Sequence, residues 1–181
     1  MFISSVLSLV ASLVLAVDAF RLASNPNAIF SCDVNAVISC GKVAKTWQSQ
    51  LLGFPNAYLG LISEPIVLTI AIAGIAGVVF PKWMMRAAQV MYAAGLALAW
   101  WLFAQSYFVI GAFCPWCLLI TVATTSVFVS MTRVNIIEGN LPLSEKAQAA
   151  AERALRMWLD HFVMMVAFAV VALMISTRYL I

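Results

Sequence analysis

Four cysteines carry the chemistry open to this sequence. Cys114 and Cys117 stand in GAFCPWCLLI, at the head of an apolar run that meets no charge before Arg133. Pro115 suits the first position of a helix, where its missing N–H costs nothing. Cys114 then caps that helix and Cys117 lies one turn in, on the same face. A helix N-terminus carries partial positive charge and free N–H groups. Those favour thiolate over thiol, and the thiolate is the species that attacks a disulfide. The second pair, Cys32 and Cys40, lies in SCDVNAVISCGK. Two thiol pairs that exchange with one another would use all four sulfurs. A structural disulfide beside two buried cysteines is a second reading, and a four-cysteine zinc site a third. Zinc ligand pairs are commonly separated by two to four residues. Cys32 and Cys40 have seven between them, and one member of the C-x-x-C pair falls within a membrane edge.

These pairs must be held by membrane-spanning elements. The 181 residues are 65% hydrophobic and 9% charged, against about 25% charged in soluble domains. The net charge of +3 is small and scattered, which argues against nucleic acid as a partner. Five segments are long enough to cross a hydrocarbon core, which takes about 20 apolar residues: 4–22, 57–80, 87–110, 114–132 and 158–177. The first has no basic start and no small-residue cleavage site before Arg21, so it reads as a span and not as a signal peptide. The 81–86 turn and the 133–157 linker hold Lys82, Arg86, Arg133, Lys146, Arg153 and Arg156, while the opposite side holds Arg21, Lys42, Lys45 and Arg178. That bias places the N-terminus and both basic linkers in the cytoplasm. The 23–56 loop and all four cysteines then face the outer, oxidising side, where disulfides persist. Within the loop, 36–52 reads as a short amphipathic helix. Val37, Cys40, Ala44, Trp47 and Leu51 would face the bundle, Asp33 or Asn35 would cap the start, and Gly53 with Pro55 would end it. The fold expected is an all-α integral membrane protein, a four-helix transmembrane bundle plus a fifth transmembrane helix, with a short amphipathic outer helix.

CDVNAVISCGKVAKTWQSQLLGFPNAYLG, followed by FCPWC at the start of the fourth span, resembles the vitamin K epoxide reductase family over residues 1–132. The resemblance rests on a loop pair spaced C-x7-C, a hydroxyl residue a few positions later, Asn-x-x-x-Gly opening the second span and C-x-x-C opening the fourth. It implies a four-helix catalytic bundle around a quinone, followed here by the cytoplasmic linker 133–157 and a fifth helix in 158–181. Bacterial members oxidise a thioredoxin-like partner outside the cytoplasm and pass its electrons to a membrane quinone. Carried over, Cys114 and Cys117 are the active-site pair, with Cys117 nearest the quinone, and Cys32 and Cys40 are the shuttle pair. Thr46 takes the hydroxyl position, and Asn56 the position that hydrogen-bonds a quinone oxygen. Thr121 stands where vertebrate members carry a tyrosine. Many bacterial members carry a fused thioredoxin-like domain after a fifth span. With the sequence ending at Ile181, the expected partner is a separate DsbA-like thioredoxin-fold protein. The acceptor expected is ubiquinone or menaquinone, and the location the bacterial inner membrane. Disulfide oxidases of the DsbB type place their two pairs in the reverse order along the chain.

Of the remaining residues, Glu64 is an intramembrane carboxyl beside Pro65, a functional candidate by default. Trp116, inside the C-x-x-C, is the aromatic best placed to line a quinone. Trp83, Trp100, Trp101 and Trp158 read as interface anchors and packing. Asp18 is expected to pair with Arg21. Asp160 and His161, the lone histidine, open the fifth span far from the cysteines.

Overall fold

The computed structural model describes residues 1–180, with side chains through Thr177. Ile181 and the side chain of Arg178, counted above among the outer charges, lie outside the described residues. The chain is an all-helical membrane bundle. Its five membrane-length helices are α1 (Phe2–Ser24), α3 (Ala57–Ile75), α4 (Lys82–Gln105, running on through a π turn at Ser106–Ile110), α5 (Pro115–Ile137) and α7 (Leu159–Leu180). Two shorter helices join them, α2 (Cys40–Ala44) and α6 (Glu145–Arg156).

Local chemistry sets the ends. The second span stops at Ile75, earlier than hydropathy suggests, because Gly77 takes the left-handed conformation with φ 84°. Its N–H and that of Val78 satisfy the last helix carbonyls, a glycine stop. The third span begins at Lys82, so the basic 81–86 stretch is the first turn of α4 and not a separate linker. The fourth runs to Ile137, past the apolar run, because its polar residues find partners. Arg133 pairs with Asp160 at 2.8 Å, and Asn135 donates to Gln89 at 2.9 Å. The 133–157 linker contains α6, capped by Ser144.

The tightest pairings are α1 with α3, α1 with α5, and α4 with α5. Ser5, Ser8, Ala11, Ser12 and Ala16 are the buried face of α1, and small residues let transmembrane backbones approach closely. Gly60 answers them from α3, where an added Cβ would fall 2.0 Å from Ser12 Oγ and 2.9 Å from its Cβ. At the end away from the cysteines, Val67, Tyr92, Val127 and Met131 pack together and close the bundle. α7 packs on α5 and α6. Large apolar side chains such as Ile3, Leu13, Ile72, Val90 and Val163 are left exposed, as suits a bundle solvated by lipid. Among the described residues Arg133 makes an ion pair with Asp160, whose other oxygen lies 3.1 Å from His161 Nδ1; Asp18 and Arg21, expected to pair, do not come within ion-pair distance.

The loop before α3 departs most from expectation. In place of one helix over 36–52 there is α2, five residues long, and a 3-10 turn at Trp47–Gln50. Residues 37–39 are drawn into a parallel bridge with the strand-like entry to α5: Phe113 N–H donates to Val37 O at 2.7 Å, and Ser39 N–H to Phe113 O at 3.0 Å. Asn35 Oδ1 takes the N–H groups of Val37 and Ile38, which builds a turn and not a cap. Ser39 caps α2. The expected faces also swap in part. Gln48 is buried, whereas Trp47 is 66% exposed and packs on Trp101 with ring centroids 6.1 Å apart.

Candidate redox site

The bridge between residues 37–39 and Phe113 brings the two cysteine pairs together. Cys32 and Cys40 form a disulfide, and Cys114 and Cys117 are free thiols. Cys114 Sγ lies 3.3 Å from Cys40 Sγ. The disulfide leaves Cys114 and Cys117 as the two free thiols of the set. Phe30 packs with Cys32, Cys40 and Cys114, and Leu15, Leu22, Val43 and Trp116 surround them.

Asp33 holds the loop in place. Its carboxylate accepts from Phe30 N–H at 2.9 Å, Ser39 Oγ at 2.8 Å and Gly41 N–H at 2.8 Å. Burial opposes its ionisation, but the two backbone N–H groups, the Ser39 hydroxyl and the nearby Lys45 outweigh it and hold the carboxyl below its usual range. Cys114 caps α5, and its sulfur accepts from Cys117 N–H at 3.4 Å. Hydrogen bonding from the Cys117 thiol, helped by the Cys117 and Trp116 backbone N–H groups, holds the Cys114 thiol below its usual range, although burial opposes this. The sulfur facing Cys40 is therefore the better leaving group of its pair in thiol–disulfide exchange.

A cavity of about 650 Å³ opens beneath the sulfurs, between the α1–α3 pair and the α4–α5 pair. Cys40, Cys114, Cys117, Thr46, Gln48 and Asn56 line its cysteine end. Ser8, Ser12, Glu64, Tyr92 and Thr124 line its floor, and the walls between are mostly apolar. An apolar pocket of this size with a few convergent polar groups is the common form of a small-molecule site. A flat, lipophilic, hydrogen-bond-accepting quinone fits it.

The expected site residues fall as follows. Asn56 lies on the cavity wall with its side chain already engaged. Nδ2 donates to Gln48 O at 2.7 Å, and Oδ1 accepts from Leu51 N–H at 3.2 Å. It makes no side-chain cap to α3; it latches the loop through one of its two amide hydrogens. Thr121 is buried on the wall, its hydroxyl donating to Cys117 O at 3.0 Å. The Thr46 hydroxyl donates to Val43 O at 2.7 Å. Trp116 packs on the sulfur cluster but is absent from the cavity wall, because one residue around a helix turns the side chain by about 100°. Glu64 is 3% exposed and accepts from Ser8 Oγ at 2.8 Å and Tyr92 Oη at 2.7 Å. At the other end Asp160 pairs with Arg133 and lies against His161, and Trp100 bonds Thr125.

Ser8, Ser12, Gln48, Tyr92 and Asp33's role as loop holder escape a reading of the sequence. The only signal was the serine spacing in α1, with Ser5, Ser8 and Ser12 on one face of an apolar span. Tyr92 carries none.

Two comparisons bear on these residues. The family model described as "Vitamin K epoxide reductase family" matches residues 1–132, the span that contains both cysteine pairs and the cavity. A search among curated proteins gave no match.

Proposed function

Since the chain belongs to the vitamin K epoxide reductase family and is a membrane thiol oxidoreductase, we propose that it re-oxidises a DsbA-like thioredoxin-fold protein and delivers the electrons to a membrane quinone, ubiquinone or menaquinone. The observation that carries this is the 3.3 Å approach of Cys114 to Cys40, with Cys117 on the wall of an apolar cavity just beneath. Basic residues on the linker side support a cytoplasmic N-terminus and cysteines on the outer face; the membrane this reading implies is the bacterial inner membrane.

The exchange balances as follows. The partner's dithiol reduces the Cys32–Cys40 disulfide and leaves as a disulfide. The Cys40 thiolate attacks Cys114 of an oxidised Cys114–Cys117 pair; the Cys40–Cys114 bond forms and Cys117 leaves as a thiol. Cys32 then attacks Cys40, restoring the loop disulfide and releasing Cys114. The exchange ends with the loop pair oxidised and the C-x-x-C pair reduced. A quinone supplies a two-electron, two-proton acceptor. Cys117 presents the dithiol to it, Asn56 offers an amide hydrogen, and the apolar walls exclude water. An acceptor of high potential is required, because a DsbA-like partner sits near about −120 mV.

The test mixes purified protein with a reduced thioredoxin-fold substrate and a short-chain quinone. Stoichiometric substrate oxidation and quinone reduction, both abolished by Cys117→Ala, are expected. Intact protein that couples neither would leave the loop disulfide a structural feature of a membrane scaffold.

A further inference from the structure

The cavity floor holds a group that the thiol relay does not use. Glu64 accepts both of its hydrogen bonds on Oε1, from Ser8 and Tyr92. Oε2 is buried and has no partner. Ser12 Oγ, fully buried on the facing helix and also on the cavity wall, has none either. Buried polar groups are almost always paired. Among the described residues neither oxygen has a partner, and both residues line the cavity, Ser12 from α1 and Glu64 from α3; a ligand seated there can supply what is missing. Among the described residues no lysine, arginine or histidine bonds Glu64, and in its protonated form Oε2 would be a donor.

Position along α3 sets what that ligand can be. Asn56 and Glu64 are eight residues apart, about 12 Å along the helix axis. Helical side chains lean toward the N-terminus, which in α3 is the cysteine end, so the Glu64 carboxyl reaches back toward Asn56. A para-quinone needs nearly the same span. Its opposite oxygens stand about 5 Å apart, given carbonyl bonds of about 1.2 Å, and two hydrogen bonds of about 2.8 Å bring the total to about 11 Å. Thr121 does not compete for the second oxygen, since its hydroxyl is committed to Cys117 O.

We propose that Glu64 Oε2 is the second quinone-oxygen contact, so that the ring stands along the bundle between the Asn56 amide and the Glu64 carboxyl, and the site selects acceptors with two para-disposed carbonyls. This rests on the quinone reading above. Ser8 and Tyr92 fix the carboxyl's rotamer by occupying Oε1, which leaves Oε2 as the group presented to the ligand.

Isotope-edited infrared spectroscopy of the wild-type protein tests it without a substitution. A short-prenyl naphthoquinone labelled with ¹³C at one carbonyl or the other is bound to the detergent-solubilised protein. Both carbonyl bands should shift to lower frequency than in hydrocarbon solvent. A bound quinone with one unshifted, free carbonyl overturns the proposal while leaving the acceptor reading intact. Quinone that neither binds nor is reduced overturns the acceptor reading, and this proposal with it. In steady state, Glu64→Leu should raise KM for the same quinone about tenfold, the worth of one hydrogen bond, and free one carbonyl band. Glu64→Gln, whose amide can still donate, should stay within about threefold and keep both bands shifted. A Glu64→Leu protein with KM within twofold of wild type and both bands still shifted would refute the contact.

Discussion

Removing the Asp33 carboxylate should slow exchange between the two cysteine pairs without touching any sulfur. Three donors converge on it, Phe30 N–H, Ser39 Oγ and Gly41 N–H, and the last two flank Cys40. Hydrogen bonds to a charged group contribute about 1.5–3 kcal/mol each. They share one carboxylate and are not additive, so about 3 kcal/mol is a fair ceiling for Asp33→Ala. At about 1.4 kcal/mol per tenfold, that ceiling is roughly a hundredfold fall in the docked loop. The backbone bridge to Phe113 persists, so a fall of at least about tenfold is expected. Asp33→Asn keeps the shape but turns an amide N–H toward one of the donors, and should lie between. Transfer is measured in one turnover without quinone. The loop pair is reduced, the C-x-x-C pair oxidised, and the reaction is acid-quenched and its thiols mass-tagged. Dithiothreitol-driven quinone reduction, which bypasses the loop, should keep most of its rate. The pH dependence has a definite sign. The folded pKa of Asp33 lies below its unfolded value of about 3.9. Its contribution is therefore complete above that value and is lost as pH falls through the folded pKa. The wild-type transfer rate should therefore show an acid limb, falling as Asp33 is protonated, that Asp33→Asn lacks. A transfer rate in Asp33→Ala within twofold of wild type, with the Cys32–Cys40 bond formed normally, would refute the carboxylate's role in docking.

Three further outcomes are expected. Cys32→Ala and Cys40→Ala should lose turnover with the thioredoxin-fold substrate yet keep part of it with dithiothreitol; equal loss with both reductants, in parallel assays, would make the loop disulfide structural. Asn56→Asp and Asn56→Ala should each cut quinone turnover at least tenfold. Because Nδ2 donates to Gln48 O at 2.7 Å, both should also lower thermal stability in detergent, the aspartate no less than the alanine, since it sets a carboxylate oxygen against a carbonyl. Melting curves check this, and an unchanged Tm in Asn56→Asp would count against the latch. Gly60→Ala should cost about 1–3 kcal/mol, the usual range for overpacking, because Ser12 Oγ and Cβ both stand inside contact distance of the new methyl; denaturant titration in mixed micelles measures it, and Ser12→Gly should restore part of the loss.

Hydrophobic spans, the C-x-x-C at a helix start and the loop pair were legible in the residues because each rests on local rules. Twenty apolar positions need a membrane, Pro115 suits a first turn, and Cys114 as the cap follows from it. Helix stops at Gly77 were readable in principle for the same reason. The placement of Cys40 on Cys114 was not. It depends on a two-bond bridge between Val37–Ser39 and Phe113, residues some 75 positions apart, and that bridge competes with the helix that the 3.6-residue spacing of 36–52 favours. The long-range bonds win, and the helix shrinks to Cys40–Ala44. The face of Trp47 went wrong because 36–52 is not one helix: the break between α2 and the 3-10 turn at Trp47–Gln50 resets the side-chain directions, and Gln48 finds Gln105 inside. Glu64 was visible as a charge in a span, but its partners Ser8 and Tyr92 come from two other helices. Which of its oxygens faces the cavity is a matter of packing among α1, α3 and α4, and no spacing within one segment encodes it.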